Sequence, residues 1–200
     1  MKKIVIIFFI IVSSNLFAQK TEAYNSFIKE LKKDSKIDKD DKTVYNLLNN
    51  FYDEMLQSDA GGIEPETLKK ITDFYANKDS KNKQILNMFI AYQNNISDAV
   101  TVGNLPDPKF QLELINDLQE EIRNTYNDIP IIVLIYKVEA LNSDNQLKES
   151  ANLIESSLKS FPNSIPLKVY KYLYSKDEKI KNDLVRNHSK HWMVLKFGIK

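Results

Sequence analysis

His188 and His191 are the only histidines in a chain of 200 residues, and they stand three residues apart beside its only tryptophan, Trp192. On a helix, residues at that spacing share a face, so the pair can offer two metal ligands, with Asp183 a conceivable third. Two imidazoles without a firm third ligand make a weak site. The competing reading ends one helix at His188, begins another at His191, and packs Trp192 into a C-terminal cap.

Other runs that could carry chemistry are spare. The acidic run Asp34–Lys42 fails as a calcium loop, because a start at Asp38 puts Thr43 where glycine is needed and Asn49 where glutamate is needed. It reads as a solvated linker neutralised by lysines. Glu120 and Glu121 are adjacent, and neighbours on a helix point in different directions, so they cannot flank one scissile bond. With no cysteine, thiol catalysis is excluded. No zinc-protease, nucleophile-elbow or phosphate-loop pattern occurs, and four glycines are little material for a phosphate cradle. No catalytic residue, no metal ligand and no cofactor is therefore expected, and the chain reads as non-enzymatic.

Tyrosine is the other conspicuous residue type, with ten copies. Tyr170 and Tyr174 share a helical face with Leu167 and are expected in the core. Tyr172 points away from them, and with Trp192 it is the candidate for contact with a partner, since tyrosine and tryptophan anchor interfaces.

The elements that must position these residues are nearly all helical. Residues 1–18 have a basic start at Lys2 and Lys3, an apolar run from Ile4 to Val12, and a small-residue end at Ala18. That order predicts a signal peptide cleaved after Ala18, with the run too short for a spanning anchor. The product is expected to be periplasmic or extracellular, with no stable membrane insertion. Without Lys2 and Lys3, the 28 basic residues become 26 against 27 acidic. So balanced a charge gives no case for nucleic acid. The composition and the Phe17-Ala18-Gln19 ending look like those of exported proteins of the Bacteroidetes.

Residues 19–200 read as one all-α domain, with N-terminal helices over 19–104 and helix pairs over 105–200. Val44, Leu47, Leu48, Phe51 and Met55 mark one face of a helix from about Asp41 to Gln57. Leu68, Ile71, Phe74 and Tyr75 mark a helix opened by Pro65, and Ile85, Met88, Phe89 and Tyr92 one capped by Ser80. Asp107-Pro108 opens the next. Pro130 opens the apolar run Ile131–Leu141, whose length favours helix over buried strand. Capping boxes at Ser143–Gln146 and Ser175–Glu178 predict two more starts.

One junction repeats. Ile129-Pro130 matches Ile165-Pro166 at a spacing of 36, Tyr126 matches Phe161, and Asp128 stands near the place of the hydroxyl cap Ser164. A looser copy puts His188 in the Phe161 position and Trp192 near Ile165. A period in the mid-thirties with two helices per unit is the mark of a helical solenoid. Around this junction the chain resembles the tetratricopeptide-repeat family: Ser150, Ile154, Ser157 and Pro162 fall at that family's spacings, with departures at Lys137 and Val138. The match covers roughly Pro130 to Tyr174. The resemblance implies antiparallel helix pairs stacked as a short α-solenoid that binds a protein or peptide partner. The alternative is a small-ligand or metal-binding protein using His188, His191 and Trp192.

Overall fold

The computed structural model describes residues 22–200, so the signal peptide expected over 1–18 lies outside the described residues. The chain divides into residues 1–35 and 36–200. In the first, helix α1 (residues 22–32) is followed by a turn in which Lys33 reaches Glu30 at 3.3 Å.

The second unit is all helix apart from an isolated bridge between Lys36 and Lys81. Its elements are α2 (Thr43–Phe51), which continues as a π turn (Tyr52–Gln57), then α3 (Pro65–Ala76), α4 (Lys83–Thr101) and α5 (Pro108–Tyr126). They are followed by α6 (Ile131–Ser143), α7 (Leu147–Ser160), α8 (Ile165–Ser175), α9 (Glu178–Asn187) and α10 (Trp192–Lys196). From α4 to α9 each helix packs on the next, and the short connections make neighbours antiparallel, giving a solenoid-like ladder. Among the described residues no helix is long and apolar enough to cross a membrane.

Several starts follow from local chemistry. Asp107 accepts from the backbone N–H groups of Lys109 and Phe110, with Pro108 in the first turn, and Ser164 accepts from Leu167 with Pro166 in the first turn. The apolar run from Ile131 is a helix buried nearly all round, which explains its strand-like composition.

Other expectations are corrected. Met55 is only partly buried and Leu56 takes the core position, because a π turn steps five residues where an α turn steps four. Of the stripe expected on α3, only Phe74 is buried, while Leu68 and Tyr75 face solvent. Ser80 does not cap α4; Asn82 stands there in left-handed backbone, and Ser80 donates to the carbonyl of Phe74. Pro130 precedes α6 and holds the capping position itself. Neither capping box forms, since Ser143 and Ser175 end α6 and α8, and α9 is capped by Asp177. In the box at Ser175, the hydroxyl still accepts from the N–H of Asp177 at 3.2 Å.

The repeated junction is geometrically strongest in its loosest copy. Phe161 ends α7 and His188 ends α9 with similar φ values, −125° and −135°. Three residues on, Ser164 and His191 each cap the next helix, their backbone N–H groups donating to the carbonyls of Phe161 at 3.1 Å and His188 at 3.0 Å. The copy at Tyr126 differs: Asn127 turns left-handed, and Asp128 accepts from the hydroxyl of Tyr45 at 2.6 Å. One turn thus serves two junctions, and a long-range contact serves the third.

Asn82 holds the start of the unit together. It is fully buried at φ +58°, and its side-chain oxygen accepts from the N–H of Asp38 at 2.9 Å. Its amide hydrogens are shared among the carbonyls of Asp38 at 2.7 Å and Asp41 at 3.2 Å and the hydroxyl oxygen of Tyr126 at 3.0 Å. The Asp38–Asp41 part of the acidic run is therefore no loose linker. Asp38 folds it into a turn by accepting from the N–H groups of Asp40 and Asp41.

Candidate functional site

In a helical ladder, the first helices of successive pairs line one face, the surface on which such scaffolds take extended ligands. Here these are α4, α6 and α8, and the chain lays its own helix across them. α2 packs on α4 and α6, and the π turn packs on α6 and α8. Val44, Leu47, Leu48 and Phe51 are buried on α2, with Phe51 stacked on Phe89 of α4 at 5.0 Å. That face is filled from within.

The π turn ends in a polar clamp on the double-proline junction. The side-chain N–H of Gln57 donates to the carbonyl of Asn163 at 3.2 Å, and its oxygen accepts from the N–H of Ile165 at 3.0 Å. The hydroxyl of Tyr52 donates to that same oxygen at 2.6 Å. On the opposite flank Glu54 accepts from the N–H of Glu64 at 2.9 Å and the hydroxyl of Thr67 at 2.7 Å, which ties the start of α3 to the turn.

His191 belongs to the same clamp. It is fully buried; Nδ1 accepts from the N–H of Met193 at 3.2 Å, so the ring proton sits on Nε2, which donates to the carbonyl of Leu56 at 2.8 Å. Both nitrogens are occupied, leaving none for a metal. Asp183, the conceivable third ligand, is bonded to Lys168 at 2.6 Å and Asn187 at 2.7 Å. Those two bonds hold its carboxyl below the usual range. His188 is half-buried at the end of α9. Among the described residues no group of three or more His, Asp or Glu is placed to hold a metal ion.

Trp192 and Tyr172 come together on one core. Both pack, half-buried, against Ile165, Val169, Leu184, Met193, Val194 and Ile199. The ammonium of Lys176 lies over the ring of Tyr172 at 5.3 Å, and that of Lys196 over Trp192 at 5.6 Å. The backbone N–H of Trp192 donates to the carbonyl of Asp59 at 3.2 Å, and its ring lies against Gly61. At φ +68°, a methyl group on Gly61 would stand 2.7 Å from the indole. Gly61→Ala is therefore expected to lose about 1–3 kcal/mol from backbone strain alone, and more from moving the ring. Gly103→Ala isolates the backbone share, since φ is +73° there with open space around it. Because Trp192 is the only tryptophan, its fluorescence should shift in the Gly61 variant and stay unchanged in the Gly103 variant.

Beside this cap lies a half-buried acid among phenols. Tyr170 donates to the carboxylate of Glu139, and Phe197 packs edge-on against Tyr170 at 6.4 Å. Tyr92 stacks on Tyr136 at 5.5 Å and donates to its carbonyl at 3.1 Å. Burial pushes Glu139 up, against the bond from Tyr170 and the charge of Lys196, and burial also pushes all three phenols up. The phenols of Tyr170 and Tyr92 act here as hydrogen-bond donors that tie α8 and α4 to α6. Tyr170, expected in the core, is only half-buried against it, and Tyr174 is 46% exposed and donates to Glu155 on the surface.

Tyr174 borders an open apolar cleft between α7 and α8, about 340 Å³ in volume. Leu147 (60% exposed), Ala151, Ile154 and Leu173 line it. The apolar spacing of the sequence predicts one helical stripe of Leu147, Ala151, Ile154, Leu158 and Phe161. In the structure the face of α7 that turns inward is Ser150, Ile154 and Ser157, and the two small serines let α6 approach closely. The stripe therefore leaves Leu147 outside. Asn82 and Gln57 carry no local signal, because their partners lie 44 and more than 100 residues away.

Comparison with known protein families, with curated proteins and with solved structures finds no match.

Proposed function

We propose that this protein is a non-enzymatic, exported helical scaffold, divergent tetratricopeptide-like in its C-terminal half, that binds a protein or peptide partner in the bacterial envelope. The observation that carries the reading is the α7–α8 cleft. It places exposed Leu147 and Tyr174 over apolar walls in a ladder whose other face is already covered. Contiguous exposed apolar surface with a polar rim is a feature of interaction sites. Beside the cleft, Glu155 accepts from Tyr174 and pairs with Lys171 at 2.8 Å. The near-neutral charge argues against nucleic acid as the partner. The metal-binding alternative gains nothing from the histidines, whose better-placed member is wholly engaged in packing.

The test is site-specific photo-crosslinking in envelope preparations, with the photoreactive residue at position 147, at 174, or at Lys109 on α5 as a control. A single protein adduct from 147 and 174, absent from 109, supports the reading, provided that Leu147→Asp abolishes the adduct formed from 174. Both positions are exposed, so the substitutions leave the fold intact. No adduct at 147 or 174, or the same adduct at 109, overturns it.

A further inference from the structure

We infer that the cleft between α2 and α3 is a binding site for an uncharged saccharide. α3 buries only Thr67 and Phe74, and in front of Phe74 the two helices leave a cleft of about 630 Å³. That volume lies in the range of small-molecule sites. Asn46 and Asn50 stand one turn apart on the α2 wall, Lys70 and Asp73 on the α3 wall, and Leu47 with Phe74 forms an apolar floor.

The chemistry of the walls selects the ligand. Among the described residues the side-chain amides of Asn46 and Asn50 and the carboxylate of Asp73 find no hydrogen-bond partner, whereas Asn77 at the rim already accepts from the N–H of Asp79. Free amides on one wall and a free carboxylate on the other offer donors and acceptors together, which hydroxyl groups match because each both donates and accepts. The floor suits the C–H face of a sugar ring. Charge argues against an anion: Lys70 is paired with Glu66 at 3.0 Å, and Asp41 and Asp79 also border the cleft. A simple cation would satisfy Asp73 but leave the amide N–H groups unused. Asp79 is in any case held by Lys36 at 2.9 Å.

The experiment is an amide NMR titration of the isotope-labelled protein with maltotetraose, cellotetraose and chitotetraose, and separately with spermidine. The expected result is that at least one saccharide shifts signals of residues 41–50 and 70–80 saturably. Asn50→Ala, whose otherwise unchanged spectrum shows an intact fold, should bind about tenfold more weakly. No response to any of the three sugars, or shifts centred elsewhere in the chain, overturns the inference. Saturable shifts with spermidine alone overturn it too and make the cleft a cation site. The crosslinking at α7–α8 is independent of either outcome.

Discussion

Asn82→Ala is expected to destabilise residues 36–200 by at least about 3 kcal/mol, the largest single loss foreseen for one side chain here. Two costs combine. Alanine at φ +58° carries the left-handed penalty, of order 1–2 kcal/mol, which asparagine tolerates better. Removing the amide also strips four bonds at once and leaves the N–H of Asp38 and the carbonyl of Asp41 without their partner in a half-buried turn. Asn82→Gly separates the terms: it relieves the backbone but restores no bond, so it should recover only the smaller part. Urea unfolding followed by circular dichroism measures both variants. A loss under about 1 kcal/mol for alanine would show that the turn at Asp38 holds without its hub.

The second large effect is acid sensitivity at His191. Burial holds its imidazole below the ordinary value of 6.5, outweighing the bond to Leu56 and the charge of Asp59, which pull upward; the charge of His188 adds to the depression. The sign follows from linkage. A histidine depressed in the folded state is protonated more readily in the unfolded chain, so its contribution is complete above pH 6.5 and declines as pH falls below it. Geometry gives the same direction, because a proton on Nδ1 would face the N–H of Met193 and break the cap of α10. Glu139 acts oppositely: raised by burial, it favours the fold at low pH and withdraws that support as pH rises above the ordinary glutamate value of 4.5. The clean measurement is therefore the difference between wild type and His191→Asn, which keeps a good capping side chain without titrating. That difference should be positive at pH 7.5 and shrink steadily toward pH 5, with Trp192 fluorescence following it. A constant difference across the range would mean that the ring remains neutral or that its bonds contribute nothing.

Both predictions concern contacts that close the ladder, and this is where sequence and structure part. The helices themselves were legible. Apolar spacing located α2, α4 and α7, run length located α6, and the pairs Asp107-Pro108 and Ser164–Pro166 marked starts, because these signals act within one or two turns. Even the loose echo of Phe161–Ser164 in His188–His191 is real, since a helix end, a three-residue turn and a capping side chain are local geometry. The chemistry of the histidines was legible only as two alternatives. Spacing cannot tell a ligand pair from a cap, and what decided it was the carbonyl of Leu56, 135 residues away.

By itself, then, the sequence determined the helical class, most helix positions and the junction that joins them, through periodicity and through the fixed φ of proline. Tertiary structure alone decided which faces stay open. Whether Met55 or Leu56 enters the core depends on a π turn drawn toward α6 and α8, and whether α2 lies across the ladder depends on Gln57, Asn82 and His191 finding distant partners. Those choices fill the face where a repeat scaffold would take its ligand and leave clefts elsewhere, among them those at α2–α3 and α7–α8. The physical reason is range: helix formation proceeds residue by residue along the chain, whereas the burial of a face is settled only when remote segments meet.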